Sequence, residues 1–195
     1  MSEIISNANE TRIALLDRRS FLHSGTLSGA AIALLAGSST LLASEKPKEG
    51  SLIKDIEILN SALAAEYEAV AAYQVGAESG LLKSDVLKLT VKFQGHHKAH
   101  AGVLSGTVKK LGGVAVEAKS RYDFPVDSLK RQEDVLEFAA GLEKGAVSAY
   151  LNAVPLFGSG DLAKAAASIL GDEAMHWAVL RHALGQDPVP FAFVS

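Results

Sequence analysis

The sequence predicts an all-α fold, a four-helix bundle made of two antiparallel helical hairpins joined by one long crossover. Three observations predict it. Alanine is abundant while proline (5 residues) and aromatic residues (6%) are sparse, a composition that favours helix over sheet. Four segments carry apolar residues at helical spacing, and each runs out at glycine or proline. The second pair of segments also repeats the first, at positions that include rare residue types.

The first fifty residues stand apart from these helices. A polar start leads to Asp17-Arg18-Arg19-Ser20-Phe21-Leu22 and then to a mild apolar run from about Thr26 to Ala43, rich in Gly, Ala and Ser. The charged stretch Glu45-Lys46-Pro47-Lys48-Glu49 ends it. Paired arginines followed by Phe21-Leu22 and a short, weakly hydrophobic segment resemble a twin-arginine export signal; His23 stands where such signals often carry Lys. The resemblance implies a signal peptide over residues 1–44, the twin-arginine export machinery as a partner, and a periplasmic or otherwise exported location. Such systems carry folded proteins, often with cofactor already loaded. The run is too polar in its middle for a membrane span, broken as it is by Ser38-Ser39-Thr40, so no stable span is expected in the mature form. Residues 45–195 are then the bundle domain.

The first helix is expected from Ser51 to Glu78, with Ile53, Ile56, Leu59, Leu63, Val70 and Tyr73 on its apolar stripe and Gly80 as its stop. The second starts at Ser84, with Asp85 in its first turn, passes Phe93, His97, His100 and Leu104, and ends at Gly112-Gly113. A connector without clear period follows, from Val114 to about Asp127. The third helix is expected from Asp127 to Val154, stopped by Pro155. Gly158-Ser159-Gly160 makes a turn, Asp161 caps the fourth helix, and Gly185 ends it. The tail, with Pro188 and Pro190, is expected to be extended. Short turns make each hairpin antiparallel, whereas the connector is long enough to run the length of a bundle.

Composition excludes several function classes. A chain of 195 residues, 48% hydrophobic, supports one domain with a real core. A net charge of −3 with no basic stripe speaks against nucleic acid. Without cysteine there are no disulfides and no thiolate chemistry, so any metal must be held by nitrogen and oxygen.

The repeat selects the candidate site. Placing Glu66 on Glu143 puts Leu59 on Leu136, Val70 on Val147 and Tyr73 on Tyr150; placing His100 on His176 puts Gly95 on Gly171, Val103 on Val179 and Leu104 on Leu180. Six polar residues fall at equivalent places on apolar stripes: Glu66, His97 and His100 from one hairpin, Glu143, Glu173 and His176 from the other. Such groups in a bundle core are costly unless they are paired or coordinate a cation. Carboxylates given singly by two helices, and in Glu-x-x-His pairs by two others, are the ligand pattern of dinuclear carboxylate centres in bundles.

On Glu66, Glu143 and the intact Glu173-x-x-His176, residues 51–184 resemble the ferritin-like superfamily, and small exported ferritin-like domain proteins more than cage-forming storage ferritins. The resemblance implies a ferritin-like four-helix bundle holding a carboxylate-bridged pair of iron or manganese ions, with oxidase, peroxidase or catalase-like chemistry in its active members. One half departs from the pattern, because His97 occupies the expected glutamate position and Gln94, one turn earlier, supplies no carboxylate. A site of one ion on Glu143, Glu173 and His176, or a histidine-rich site preferring zinc, copper or nickel, therefore stays open. Tyr73 and Tyr150 lie two turns after their glutamates and point to the same side, as core packing or as hydrogen-bond partners of the site. His96 is read as solvated or as a supporting group, Asp172 as a surface acid, Trp177 as packing, and Glu57, Glu68 and Glu137 as solvated. Two functions follow: an exported metal protein with oxygen- or peroxide-linked redox chemistry, or a non-catalytic, stress-related bundle with a degraded site. Dimerisation is left undecided.

Overall fold

The computed structural model describes residues 49–194, so the twin-arginine segment lies outside the described residues. Four helices carry the fold: α1 Glu49–Glu78, α2 Ser84–Lys110, α3 Gln132–Ala153 and α4 Gly160–Ala183. Single 3-10 turns occupy Val126–Ser128 and Val154–Leu156, and no strand occurs among the described residues. No helix among them is long and apolar enough to cross a membrane.

Each helix is amphipathic on a heptad-like rhythm. On α4 the buried residues are Leu162, Ala166, Ile169, Glu173, His176 and Leu180, at alternating steps of four and three. The same rhythm on α3 buries Leu136, Ala140, Glu143, Val147 and Tyr150. Two apolar clusters result. One gathers Leu59, Leu63, Leu104, Val108, Leu162 and Ile169; the other gathers Tyr73, Phe93, Leu136, Ala140 and Leu180. On every helix the six polar residues fall between members of these clusters, so they form a polar layer across the middle of the core. Apolar plugs above and below screen that layer from water.

The predicted topology is confirmed. Contacts pair rising numbers on α1 with falling numbers on α3, as in Tyr73 with Glu143 and Glu66 with Tyr150, so these helices are antiparallel. The backbone N–H of Lys83, before α2, donates to Gln132 Oε1 at the start of α3 (2.9 Å), which places both starts at one end. The connector 111–131 must therefore run the length of α2, about 40 Å for 27 residues. Asn60 on α1 pins it by donating to Val114 O and accepting from Val116 N, both at 2.9 Å, as a neighbouring strand would. The positive φ of Gly112 (83°) makes the turn off α2 that brings the chain to Asn60.

Local chemistry moved several boundaries. Helix α3 starts at Gln132 rather than Asp127, because Asp134 Oδ2 reaches back to the N–H groups of Lys130 and Arg131 and closes the N-terminus there. Ser159, not Asp161, caps α4 through its hydroxyl, which accepts from Leu162 N. Helix α1 begins at Glu49, so Ser51 lies within it. Ile53, expected on the apolar stripe, is instead 55% exposed at the bundle end.

Asp55 was not singled out by pattern, yet it is buried and accepts from Gly158 N (2.7 Å), tying the α3–α4 turn to α1. A Cβ at Gly158 would collide with the Ser51 hydroxyl, so any larger residue there would force that side chain to move. Asp55→Ala leaves the amide unpaired and is expected to lower stability by about 1–3 kcal/mol in urea unfolding. An unchanged midpoint would show that the tie contributes nothing.

Candidate metal centre

The heptad rhythm brings Glu66 from α1, His97 and His100 from α2, Glu143 from α3, and Glu173 and His176 from α4 into one place. All are buried except His100, whose side chain is 15% exposed. Two overlapping groups form. In one, His97 Nδ1 lies 2.8 Å from Glu66 Oε2, while His100 Nδ1 lies 3.6 Å from the same oxygen and 3.0 Å from Glu173 Oε1. In the other, Glu143 Oε1 lies 3.2 Å from His97 Nε2 and 3.5 Å from His176 Nδ1, which is 3.1 Å from Glu173 Oε2. Glu173 thus offers one oxygen to each group. His97 presents a different ring nitrogen to each, and a neutral imidazole ligates through one nitrogen at a time.

The tyrosines bind across the repeat. Tyr73 donates its hydroxyl to Glu143 Oε1, and Tyr150 donates to Glu66 Oε1 (2.6 Å), so each hairpin's tyrosine holds the other hairpin's glutamate. Phe93 stacks on the His176 ring, with centroids 4.0 Å apart, and fixes its plane. That plane turns Nδ1 inward to the carboxylates and Nε2 outward to Asp172 (3.3 Å).

The charges interlock. Burial by itself would lower His97, His100 and His176, but the surrounding carboxylates overcome it and raise them to about 10, about 11 and about 9. Burial would raise Glu66 and Glu143, yet hydrogen bonds from the histidines hold both below the usual carboxylate range. Glu173 goes the other way, pushed up by burial and by neighbouring Glu143. The histidines take up protons on folding, so their contribution is complete below about 6.5 and fades as pH rises through their folded values. Asp172, held at about 2, and Glu143 contribute above the carboxylate range and lose that contribution in acid. Metal-free protein is therefore expected to be most stable between about pH 5 and 6.5 and to weaken from there up to about pH 11. Urea midpoints in chelator across that range check this, and a midpoint still rising at pH 10 would contradict it.

Three buried atoms make no hydrogen bond: His100 Nδ1, Glu143 Oε2 and Glu173 Oε1. The first and last lie 3.0 Å apart, but at an angle that makes no hydrogen bond. Orphaned buried polar atoms are costly, and here three of them come from three helices into one polar layer. A cation in each of the two donor groups would give them partners. The residues present therefore fit a metal with oxygen and nitrogen ligands.

A ferritin-like domain model matches residues 54–186, most of the chain. The chain belongs to the ferritin-like domain family. A crystal structure of a conserved hypothetical protein from Mycobacterium tuberculosis superposes with a TM-score of 0.63 at 23% identity, covering 75% of this chain and 99% of that one. A ferritin-like, diiron-carboxylate protein from Bacillus anthracis superposes with a TM-score of 0.61 at 21% identity, covering 70% and 99%. At such identity both share the fold. No protein with a curated description matches.

Within this ferritin-like chain every one of the six predicted residues reaches the site. Asp172 corrects the sequence reading: it is half-buried, with Oδ2 2.9 Å from His96 Nδ1 and 3.4 Å from His100 Nε2. Its place as the repeat partner of His96 was visible in the sequence; that both turn toward the site was not. Gln94 lies outside the donor groups, donating to Val70 O and Gln74 Oε1 instead. On the α1–α3 side a groove of about 630 Å³, walled by Ala62, Ala65, Ala69, Ala146 and Ala149, opens onto Glu66, His97 and Glu143.

Proposed function

We propose that this ferritin-like protein is an exported metal protein that holds two iron or manganese ions, or one, and reacts with oxygen or peroxide. The reading rests on one observation: His100 Nδ1, Glu143 Oε2 and Glu173 Oε1 are buried without hydrogen bonds, on residues of two donor groups that share Glu173. Glu66 and Glu143 serve as the single carboxylates, Glu173 as the carboxylate shared by both groups, and His100 and His176 as end ligands through Nδ1. When bound, iron or manganese supplies electron exchange with the oxidant. The chain orients and insulates. Tyr73 and Tyr150 lock Glu143 and Glu66 in position, the two apolar clusters exclude water from above and below, and the alanine-walled groove admits a small neutral oxidant.

His97 favours a second reading. Its buried, readily protonated ring already bonds Glu66 and Glu143, so the metal-free core is partly neutralised. A non-catalytic bundle that has kept its polar layer as structure would look the same. Metal analysis of protein purified from its own compartment separates the two. We expect at least one iron or manganese per chain; less than about one ion in five chains, zinc included, sinks the metal reading. Export is part of the same proposal, and a mature N-terminus near Ser44, lost as Arg18→Lys/Arg19→Lys blocks secretion, is its check.

A further inference from the structure

Outside the buried layer, on the face between α2 and α4, a second group of donor atoms closes on itself. His96 Nδ1 lies 2.9 Å from Asp172 Oδ2 and 2.9 Å from His176 Nε2, and Asp172 Oδ2 lies 3.3 Å from that same Nε2. His100 Nε2 approaches the same oxygen at 3.4 Å. Bonds of about 2.1 Å to nitrogen and oxygen separate neighbouring ligand atoms by about 3.0 Å in octahedral and 3.4 Å in tetrahedral geometry. The three mutual distances are those of one coordination shell.

Hydrogen bonding cannot use all of these approaches at once, since each ring nitrogen makes one bond at a time. One carboxylate oxygen faces three imidazoles, and two ring nitrogens face each other at 2.9 Å. Access differs from that of the buried set. The side chains of His96 and Asp172 are 36% and 23% exposed, whereas those of Glu143 and Glu173 are 1% and 0%. On this face, an ion arriving from solvent meets His96 and Asp172 first. The rings of His176 and His100 then lead inward, each with Nε2 toward Asp172 and Nδ1 toward a buried glutamate.

We propose that His96 Nδ1, Asp172 Oδ2 and His176 Nε2 form a capture site for a divalent transition-metal ion, which then passes to the buried ligands. The site stands on its own geometry; its role as a feeder rests on the metal reading above. A neutral His176 has one lone pair, so ligation at Nε2 and at Nδ1 exclude each other. While Nε2 holds the outer ion, the Nδ1 proton bonds Glu173. When the ion moves inward and Nδ1 takes it, that proton leaves to solvent and Nε2 gains one, donated to Asp172. The outer site is therefore empty once the inner one is full.

Cobalt(II), whose visible bands report nitrogen and oxygen ligation, is the probe. In the purified native protein, His96→Ala is expected to slow cobalt loading about tenfold with the final occupancy unchanged. In a Glu66→Gln/Glu143→Gln background, which cripples the buried set, one cobalt is expected to remain and to vanish on adding His96→Ala. Asp172→Asn repeats both readings with a shape-conserving change. Loading within twofold of native overturns the proposal, and so does an unchanged cobalt count in the crippled background. Slower loading without loss of the outer ion also overturns it, because His96 would then be a gate and not a ligand. If the native protein retains a single cobalt that is lost with His96→Ala, as in the crippled background, the capture site stands and the buried-centre reading fails.

Discussion

Replacing His97 by glutamate should give a protein that is fragile without metal and tighter-binding with it. In the native chain the His97 ring bonds Glu66 at 2.8 Å and Glu143 at 3.2 Å, and Glu173 lies 3.6 Å away. A protonated ring there neutralises part of three buried carboxylates. His97→Glu removes that cation and adds a fourth anion in the same layer. Breaking a buried ion pair costs about 3–5 kcal/mol, and this change breaks one and adds repulsion, so the metal-free variant should lose at least that much stability. Two divalent ions reverse the balance, because four carboxylates match their charge. The native chain offers three. The measurement is thermal unfolding in chelator and again in excess manganese(II). The gap between the two conditions should be several-fold wider in the variant than in the native protein. Equal gaps would show that position 97 lies outside the ligand set of any ion bound there.

Glu143→Gln carries the second largest expected effect. Glu143 accepts from Tyr73 and stands within 3.2 Å and 3.5 Å of His97 and His176. Glutamine keeps the shape and removes the charge, so the fold should survive while the site loses an anionic ligand. Supporting contacts alone are worth about 10–100-fold in metal affinity, and a direct ligand should exceed that range. Competition against a chromophoric chelator would read it; a change below about threefold would place Glu143 outside the ligand set. The same variant removes one cause of the raised His97 and His176 values, so its metal-free stability should fall less between about pH 6.5 and about pH 11, and the fall should end at lower pH than in the native protein.

The repeat made the six polar residues legible, since a bundle core at alternating steps of four and three tolerates glutamate and histidine only for a reason. Tyr73 and Tyr150 were legible as facing the site, but not as crossing to the opposite hairpin's glutamate. That crossing depends on α1 and α3 being antiparallel neighbours, which no local pattern encodes. Asp172 was misjudged for a related reason, while His96, read as solvated or supporting, does support His176. On one helix each sits beside the apolar stripe and looks solvated; facing each other across α2 and α4, they become a pair with His176 between them. The start of α3 was missed because Asp134 bonding back to two backbone N–H groups leaves no periodic trace.

By itself the sequence determined the four helices, the two hairpins with their long crossover, and the ring of residues that faces the core. Those follow from short-range chemistry: helical spacing, glycine stops, and the cost of burying charge. Only the tertiary structure decided how the donors group: Glu173 shared by both sets, His97 turned between Glu66 and Glu143, and Asp172 drawn in from the surface. Distances of 2.8–3.6 Å between side chains on four helices are set by how those helices pack, and packing is a property of the whole bundle.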